Sequence, residues 1–397
     1  MTKLTIEDLH VQGKTVFMRV DFNVPMENGT ITDDNRIVEA LPSIRYLLNH
    51  GAKVILASHL GRPKGKVNPE FSLQPVADEL IKYVGVPVHF AEDCVGLPAQ
   101  TAVQNARFGE IVLLENLRFH PEEEANDPEF SKNLASLAEL YVNDAFGSSH
   151  RAHSSVAGIT QYLQPAASGF LLEKEIRYLN ESVNHPKRPF VAILGGAKVS
   201  DKIGVIENLI SKVDSLLIGG GMSFTFYKAM GLPIGKSLVE EEKVALASEL
   251  LKKASQAGVE LLLPVDSIVA DRFAEDAKTR TVAEDGIPDG WMALDIGQET
   301  VNLYSARIRE AKTVLWNGPM GVFEMDVFSK GTFDVAKALA VATQQGATTI
   351  VGGGDSAAAI KKSGLENQVS HVSTGGGASL EYLEGKLLPG VDSLTDK

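Results

Sequence analysis

The 397-residue chain has only one cysteine and fewer basic than acidic residues. Cys94 alone can form neither an intramolecular disulfide nor a multi-cysteine metal site, and we expect it to be a buried, inert residue in a reducing compartment. The chain has 38 Lys and Arg against 51 Asp and Glu, a net charge of -13. Because nucleic acids and anionic membranes require a basic face, we expect neither as a partner. An anionic ligand would need a local basic pocket.

Long apolar runs are also lacking. Runs such as ELLLPV end far short of the ~18 residues that a membrane span requires, and the first ten residues, MTKLTIEDLH, contain no signal-peptide core. With 44% hydrophobic and 22% charged residues, the composition is that of a globular protein. We therefore expect a cytoplasmic protein that does not associate with membranes.

Short apolar runs recur along the whole chain, each followed by a polar or glycine-rich turn and a stretch with helical periodicity. This alternation is typical of parallel βαβ units, and the length favours two domains. We predict an α/β protein of two doubly wound, Rossmann-like parallel-sheet domains joined by a helix, with a cleft between them. The predicted strands are KTVFMRV, AKVILAS, EIVLLEN, LYVND, FVAIL, SLLI, ELLLPV, TVLWN, TTIV and HVST.

The segment SGFLLEKEIRYLNESVNHPKRP predicts the helix between the domains. Ser168 is a candidate N-cap, the apolar residues that follow recur at helical spacing, and Pro186 ends the pattern. We predict a first domain over 1–168, a connecting helix over 169–185 and a second domain over 186–377. The turns at the ends of the helix are candidate hinges.

In the first half, the turns after the strands are rich in charged side chains. In open α/β sheets, ligands bind at the carboxyl ends of the strands, and guanidinium groups recognise phosphate and carboxylate. A lone arginine is usually a solvated surface residue, but several in equivalent turns indicate an anion pocket. Asp21 and Asn23 alternate with Phe22, which should point both to one side. The predicted pocket residues are Asp21, Asn23, Arg36, His59, Arg62, Arg118 and Arg151.

Other residues of the first half are expected to carry no chemistry. His150 and His153 flank Arg151 and are interpreted as turn residues. His59 could also be structural, as a lone histidine usually is, but its position three residues before Arg62 equally favours ligand binding. The acidic run PEEEANDPE is interpreted as a solvated loop.

In the second half, the turns after the strands are rich in glycine. Glycine allows backbone N–H groups to approach phosphate oxygens, and a helix N-terminus adds partial positive charge. AILGGAK and TTIVGGGDSAAAI fit this strand–glycine–helix pattern. Lys198 and Lys202 lie four residues apart and would share a face if the helix has begun. Asp355 is suited to hold Mg²⁺ on nucleotide phosphates, or to cap a helix, and Glu324 is a candidate for the ribose.

Two segments resemble other nucleotide-binding motifs. GLPIGKS has three residues between Gly231 and Gly235, where the Walker A motif has four, and no strand precedes it. GGGDSA matches G-x-G-x-x-A, but the next strand ends without an acidic residue for a ribose hydroxyl. A nicotinamide dehydrogenase is therefore the inferior enzyme hypothesis, and a nucleotide-responsive scaffold without turnover is the non-enzyme alternative.

The motifs together resemble the phosphoglycerate kinase family over the whole chain. The segments that carry the resemblance occur in the family's order: KTVFMRVDFNVP, SHLGRP, GGAKVSDK, GGGMSFTF, WNGPMGVFE, GGGDS and STGGGASLE. The resemblance implies that phosphoglycerate is bound by Asp21, Asn23, Arg36, His59, Leu60, Gly61, Arg62, Arg118 and Arg151. It implies that the nucleotide is bound by Gly196, Ala197, Lys198, Lys202, Gly219, Gly220, Asn317, Pro319, Glu324, Gly353, Gly354, Asp355 and Ser356.

The resemblance also implies a reaction. Phosphoryl transfer from 1,3-bisphosphoglycerate to ADP would give 3-phosphoglycerate and ATP, a reversible step of glycolysis, with Mg²⁺ held by Asp355. The attacking ADP oxygen is already ionised, so no general base is required. Arg36 and Lys198 are the expected catalytic residues, one from each domain, in an in-line transfer after hinge-bending closure. A monomer is implied, with a C-terminal tail, about 378–397, that packs on the first domain.

Overall fold

The computed structural model describes residues 3–397. Its contacts divide the chain into two compact units. The first unit contains residues 3–176 together with Leu387–Lys397, and the second contains Arg177–Lys386. Within the described residues, no helix combines the length and the apolar character needed to cross a bilayer.

The first unit is built on a six-stranded parallel sheet and a small hairpin. Its strands are β1 (Thr15–Arg19), β2 (Met26–Glu27), β3 (Thr30–Ile31), β4 (Lys53–Ala57), β5 (Val88–Ala91), β6 (Ile111–Leu114), β7 (Leu140–Asn143) and β8 (Ala166–Ser168). The order across the sheet is β5-β6-β4-β1-β7-β8, and β2 pairs with β3 in the hairpin. In the central strand, Phe17 is in register with Ile55 on one side and Tyr141 on the other. Its apolar run is buried, as expected for a central parallel strand.

Helices follow most of these strands. They are α1 (Asn35–Asn49), α2 (Gln74–Val84), α3 (Gly96–Asn105), α4 (Pro121–Ala125), α5 (Pro128–Ala135) and α6 (Phe170–Asn184). The amphipathic pattern of α2 buries Val76, Ala77 and Leu80, and the helix ends at Gly85, whose φ of 68° is readily adopted only by glycine.

Helix α6 lies where the sequence predicts the connecting helix, but its N-terminus is built differently. Ser168 is the last residue of β8, and its hydroxyl donates to the Leu4 carbonyl, so the predicted N-cap role is wrong. Residues distant in sequence accept the first N–H groups instead. Ser43 Oγ accepts from Phe170 N at 2.9 Å, and Asp144 Oδ1 accepts from Leu172 N at 3.0 Å.

The second unit has its own six-stranded parallel sheet and an additional antiparallel sheet. Its strands are β9 (Phe190–Leu194), β10 (Ser215–Ile218), β11 (Glu260–Leu262), β12 (Asp266–Ala270), β13 (Thr279–Ala283), β14 (Met292–Ile296), β15 (Thr313–Asn317), β16 (Thr348–Gly352) and β17 (His371–Val372). The parallel order is β11-β10-β9-β15-β16-β17, and the antiparallel order is β13-β12-β14. Its helices are α7 (Ile203–Leu209), α8 (Ser223–Ala229), α9 (Val244–Gln256), α10 (Gln298–Glu310), α11 (Lys330–Gln344), α12 (Gly354–Lys362) and α13 (Gly377–Leu383). The last helix, α14 (Pro389–Asp392), belongs to the first unit.

The predicted α/β class with two parallel sheets is confirmed, and each of the ten predicted apolar runs contains a strand. The sequence pattern did not predict β5 and β8, which have four and three residues, the β2–β3 hairpin or the three-stranded antiparallel sheet. Strand β13 is mostly exposed and reads TRTVA, so it lacks the apolar run on which the strand prediction depends.

The C-terminal segment returns to the first unit. Leu4 N donates to Thr395 O, Thr395 N donates to Ala166 O, and Asn143 Nδ2 donates to Gly390 O at 2.8 Å. Helix α13, which the predicted tail includes, instead packs in the second unit, where Asn208 Nδ2 donates to the Leu383 carbonyl.

Candidate functional site

The anion pocket predicted for the first unit contains a buried arginine that the sequence pattern did not single out. Arg19 is the last residue of β1 and is 1% exposed. Its Nε donates to Ser155 Oγ at 2.9 Å and its Nη1 donates to the Val20 carbonyl. A charged residue at the end of an otherwise apolar strand, TVFMR, is the signal that could have identified it.

The contacts of Arg19 fix the tautomer of His59. Arg19 Nη2 lies 3.1 Å from His59 Nδ1, and because a guanidinium can only donate, Nδ1 must be the acceptor. Burial first, and then the charges of Arg19 and Arg118, hold the pKa of His59 well below its ordinary value, against the opposing charge of Asp21. The ring is therefore neutral and carries its proton on Nε2, where it can donate to an anion.

Asp21 and Arg36 form an ion pair at the same end of the sheet. Burial opposes ionisation of Asp21, but the positive charges of Arg36 and Arg19 outweigh it, and the pKa of the carboxyl is lowered. Arg36 lies in the first turn of α1 rather than in a loop, and its side chain is 35% exposed. It is thus oriented by Asp21 and still reachable from solvent.

Hydrogen bonds between side chains and backbone connect the remaining strand-end turns. Gly61 N donates to Asn23 Oδ1 at 2.8 Å, and Arg118 Nη1 donates to the Gly61 carbonyl at 3.0 Å. The Leu60 carbonyl accepts from Asn116 Nδ2 at 2.7 Å. Leu60 and Gly61 therefore hold the turns together through their backbone, and the Asn23 side-chain oxygen, predicted to face a ligand, is already engaged by this turn.

The acidic run PEEEANDPE is exposed at most positions, as predicted, but the prediction of a loop is wrong. It forms α4 and the start of α5, and Glu123 is fully buried. Glu123 accepts from Ser155 N at 2.9 Å and from Ser155 Oγ at 2.5 Å, while the same hydroxyl accepts from Arg19. Burial raises the pKa of Glu123, against the attraction of Arg19. Ser155 thus links a buried carboxyl group to the buried arginine.

His150 and His153, interpreted from sequence as turn residues, lie beside this group. His153 is 7% exposed, and its Nδ1 is 4.0 Å from Glu123 Oε1. Burial and the charges of Arg19, Arg118 and Arg151 lower the pKa of His153 to about 3. Arg151 Nε contacts His150 Nε2 at 3.2 Å. Arg62 is the exposed member of the predicted set.

These positive charges are close enough to oppose one another. Burial first, and then the charges of Arg19 and Arg151, lower the pKa of Arg118, although Glu124 opposes the shift. An anion bound among these groups would relieve both the repulsion and the incomplete solvation. The arrangement is therefore suited to a small, multiply charged anion, with neutral His59 as an additional donor.

In the second unit, most of the predicted nucleotide residues line two cavities that share Asp355. The larger has a volume of about 680 Å³ and is walled mainly by apolar side chains, among them Phe224, Leu238 and Val322. The smaller has a volume of about 220 Å³ and lies at the start of α12. The predicted residues in the larger cavity are Gly196, Ala197, Gly220, Pro319, Glu324 and Asp355. Those in the smaller one are Lys202, Asn317, Gly353, Gly354, Asp355 and Ser356.

Helix α12 supplies the anion-binding end of the smaller cavity. An α-helix leaves its first N–H groups without intrahelical acceptors, and Gly354 and Asp355 are the first residues of this helix. Lys202 Nζ donates to Asn317 Oδ1, and Asn317 Nδ2 donates to the Gly352 carbonyl at 3.0 Å. Burial first lowers the pKa of Lys202, while Asp201 and Asp355 oppose the shift. The buried Asn317 therefore fixes the lysine next to the helix N-terminus.

The glycine turns after β9 and β10 do not offer free amides, contrary to the expectation from sequence. Gly195 N donates to Asn317 O, Gly196 N to Pro319 O, and Gly220 N to Met320 O. Gly220 has a φ of 69°, and a Cβ there would lie 2.6 Å from the Gly196 carbonyl oxygen. These glycines pack the turns against each other, so they shape the cavity wall. Gly219, behind the wall, packs against Met320.

Lys198 and Lys202 do not share a helix face. Helix α7 begins at Ile203 with Lys202 at its N-cap, and Lys198 lies in the preceding bend, where its side chain is exposed. Burial opposes ionisation of Glu240, but hydrogen bonds from Ser200 and the positive charge of Lys198 lower the pKa of Glu240. Lys198 lies four residues after the end of β9 and is exposed, so it remains accessible to a ligand.

Comparison with known proteins gives the same family at every level. The phosphoglycerate kinase family model matches residues 6–386. The phosphoglycerate kinase of Synechococcus elongatus is 59% identical over 397 residues, covering 100% of this chain and 98% of that protein. The phosphoglycerate kinase of Moorella thermoacetica is 59% identical over 397 residues, covering 100% of both.

Solved structures agree with the sequence relatives. The phosphoglycerate kinase of Coxiella burnetii matches with a TM-score of 0.90 at 44% identity, and that of Pyrococcus horikoshii with a TM-score of 0.84 at 33% identity. Each match covers 98% of both chains. This chain therefore belongs to the phosphoglycerate kinase family.

Proposed function

We propose that this chain catalyses reversible phosphoryl transfer from 1,3-bisphosphoglycerate to MgADP, giving 3-phosphoglycerate and MgATP. It is a phosphotransferase with a carboxyl group as acceptor, acting in glycolysis. The observation that carries the proposal is the pairing of two kinds of site in one chain. An arginine-rich anion site follows the strands of one parallel sheet, and a glycine-walled cavity with a helix N-terminus follows the strands of the other.

The first unit binds the phosphoglycerate in this proposal. Its phosphate and carboxylate groups are bound by Arg36, Arg62, Arg118 and Arg151. The buried Arg19 adds positive charge to the same pocket. His59 donates from Nε2, because its Nδ1 is engaged by Arg19. Asp21 orients Arg36 and accepts from the substrate hydroxyl, while Asn23, Leu60 and Gly61 fix the turn that carries Arg62.

The second unit binds the nucleotide. The base occupies the larger apolar cavity between the turns of Gly196, Ala197, Gly219, Gly220 and Pro319, and Glu324 accepts from the ribose. The phosphates lie at the start of α12, on the amides of Gly353 to Ser356 and on Lys202, which Asn317 orients. Asp355 fits Mg²⁺, because its exposed carboxylate stands at the mouth of the phosphate cavity. Bound Mg²⁺ would neutralise phosphate charge.

The protein's contribution to the chemistry is alignment and charge stabilisation. The attacking ADP oxygen is ionised, so no residue has to remove a proton. Arg36 and Lys198 are the proposed catalytic residues, each stabilising negative charge on the transferring group from its own unit. Because the two ligands bind to different units, we propose that hinge bending at the ends of α6 brings them together and excludes water from the acyl phosphate.

The deciding test is phosphorylation of 3-phosphoglycerate by the purified chain, with MgATP as donor and formation of 1,3-bisphosphoglycerate as the measured product. We expect turnover that depends on both Mg²⁺ and 3-phosphoglycerate. Binding of MgADP without turnover would support a scaffold, and binding of NAD in place of MgADP would support a dehydrogenase. Either result would overturn the proposal.

The remaining expectations complete this proposal. We propose a cytoplasmic monomer that binds neither nucleic acid nor membranes. The domains predicted from the sequence are 1–168 with the tail from about 378 to 397, and 186–377, connected by the helix over 169–185. In the structure, helix α13 at the start of that tail packs in the second unit. Gel filtration at several protein concentrations tests the monomer, and a concentration-dependent increase in size would contradict it.

A further inference from the structure

The single cysteine lies in a group of three potential metal ligands that the proposed function does not use. Cys94 and Asp93 follow β5, and His120 precedes the first residue of α4. One ligand atom of each, an Asp93 carboxylate oxygen, Cys94 Sγ and a His120 ring nitrogen, lie within 4.8 Å of one another. Three ligands of these types leave one coordination position for water.

The hydrogen bonds in this group meet at the Asp93 carboxyl group. His120 Nε2 lies 2.7 Å from Asp93 Oδ1, and the Cys94 backbone N–H donates to the same oxygen at 2.7 Å. The His120 nitrogen and the Cys94 sulfur would bind a cation after losing their protons. Ligand atoms in a tetrahedral zinc site lie roughly 3.5 Å apart, so small side-chain rotations would close the site.

The surroundings favour a cation that exchanges with solvent. The side chains of Asp93 and His120 are 39% and 28% exposed, whereas Cys94 is fully buried behind them. Two more carboxyl groups act on the site, Glu122 on His120 and Glu123 on Cys94. The His120 ring is held by a contact with Phe130, at 5.3 Å between ring centroids.

We propose that Asp93, Cys94 and His120 form a site for a borderline-soft divalent cation, with Zn²⁺ as the best fit. The thiolate and imidazole exclude Mg²⁺ as the preferred ion, because Mg²⁺ requires oxygen ligands. Binding forms metal–S, metal–N and metal–O bonds. It releases the proton of the Cys94 thiol and, where His120 is protonated, one proton of its ring. No electron is transferred.

Cobalt provides the direct test, because this chain has only one thiol to produce the signal. Full-length protein freed of metal by a chelator is titrated with Co²⁺. We expect a thiolate-to-cobalt charge-transfer band that saturates at one equivalent, disappears on adding one equivalent of Zn²⁺ and survives excess Mg²⁺. Absence of the band in folded wild-type protein would overturn the proposal.

Ligand variants test the three residues separately by competition for Zn²⁺ with a chromophoric chelator. Cys94→Ala should abolish the cobalt band, and Asp93→Asn and His120→Asn should each lower Zn²⁺ affinity by about 10-fold or more. His89→Asn is the matched control, since His89 forms a similar pair with Glu110, 2.8 Å apart, in a site without a thiol. Wild-type affinity in the ligand variants, or an equal loss in His89→Asn, would refute the assignment. Circular dichroism checks that each variant is folded.

Proton release provides a measurement that does not depend on any substitution. Because the Cys94 thiol must lose its proton to bind the metal, Zn²⁺ affinity should increase by about 10-fold per pH unit. Affinity that is independent of pH would contradict binding by these residues.

Discussion

In each unit the candidate site lies at the carboxyl ends of the strands of a parallel sheet, but different groups form it. In the first unit the site consists of charged side chains, fixed by buried hydrogen bonds such as that from Arg19 to Ser155. In the second it consists largely of backbone, with Gly196 and Gly220 packed against neighbouring turns. A side-chain site can lose its chemistry while keeping its fold, whereas a backbone site cannot be altered without altering its packing.

The largest expected effect is on catalysis, at the exposed end of the side-chain site. Arg36→Ala removes a donor that we place on the transferring phosphoryl group. It should lower kcat by about 10²–10³-fold, about 3–4 kcal/mol of transition-state stabilisation, with the Kd of MgADP nearly unchanged. Steady-state kinetics and calorimetry measure the two quantities.

Arg45→Ala is the matched control for this prediction. Arg45 lies on the same helix, is exposed, and donates to the Tyr83 carbonyl at 3.0 Å, away from the pocket. It should retain wild-type kcat. Wild-type kcat in Arg36→Ala would refute the catalytic role of Arg36.

The backbone site should fail through stability. In Gly220→Ala the new Cβ would lie 2.6 Å from the Gly196 carbonyl oxygen at a φ of 69°. Left-handed strain and overlap together should lower the free energy of unfolding by about 3 kcal/mol. Gly354→Ala is the control, because a Cβ there meets no atom within 4 Å and the residue begins α12. Urea denaturation should leave this control within about 1 kcal/mol of wild type, and equal losses in both variants would contradict the packing argument.

The same contrast explains what the sequence could reveal. Apolar runs predicted both parallel sheets, because a strand buried on both faces is a local pattern. The arginines and glycines after the strands are also a local pattern, and they indicated the two candidate sites. What failed depended on distant partners. Glu123 reads as part of a solvated acidic run, yet it is buried by its bonds to Ser155, 32 residues later. Ser168 has the chemistry of a cap but is used by strand β8.

The glycine amides were misjudged for a related reason. Sequence shows that a glycine permits close approach, but it does not show what approaches. At Gly196 the partner is Pro319, in a turn more than a hundred residues away. Likewise, the spacing of Lys198 and Lys202 predicts a shared face only if a helix has begun, and α7 begins after both.

Buried carboxyl groups allow a third comparison, through pH. Burial raises the pKa of Asp144 in the first unit and of Asp295 in the second to about 7 each. Such a group stays protonated in the folded chain at pH values where it ionises in the unfolded chain. The stability that this group contributes is therefore present at low pH and is lost as pH rises through the folded-state pKa. As pH rises from 5 to 7, each group should lower the free energy of unfolding by about 2 kcal/mol.

Amide substitutions should remove this slope and separate the two residues. Asp144 Oδ2 is buried without a hydrogen-bond partner, whereas Asp295 Oδ2 accepts from Gly331 N at 2.8 Å. Asp144→Asn should thus be less destabilising than Asp295→Asn, and both should approach wild-type stability as pH rises. Urea denaturation at pH 5 and pH 7 provides the data. Stability differences from wild type that stay constant with pH would contradict the raised pKa values.

The smallest expected effect tests whether the two sites are independent. Arg118→Ala should raise the KM for 3-phosphoglycerate about 10-fold and leave the Kd of MgADP unchanged, because a charge-assisted hydrogen bond is lost in one unit only. Lys202→Ala should raise the Kd of MgADP about 10-fold and leave the KM for 3-phosphoglycerate unchanged. Arg118→Lys keeps the charge but loses the paired geometry and should fall between wild type and alanine.

Independence has a structural basis at both positions. Arg118 is fixed through the Gly61 carbonyl and Lys202 through Asn317, so each side chain is held by residues of its own unit. Loss of either side chain should therefore leave the other unit's ligand contacts in place. An increase in the Kd of MgADP as large as the increase in the KM for 3-phosphoglycerate in Arg118→Ala would contradict this independence. The two sites would then be coupled already in the binding step, and they would form one shared site.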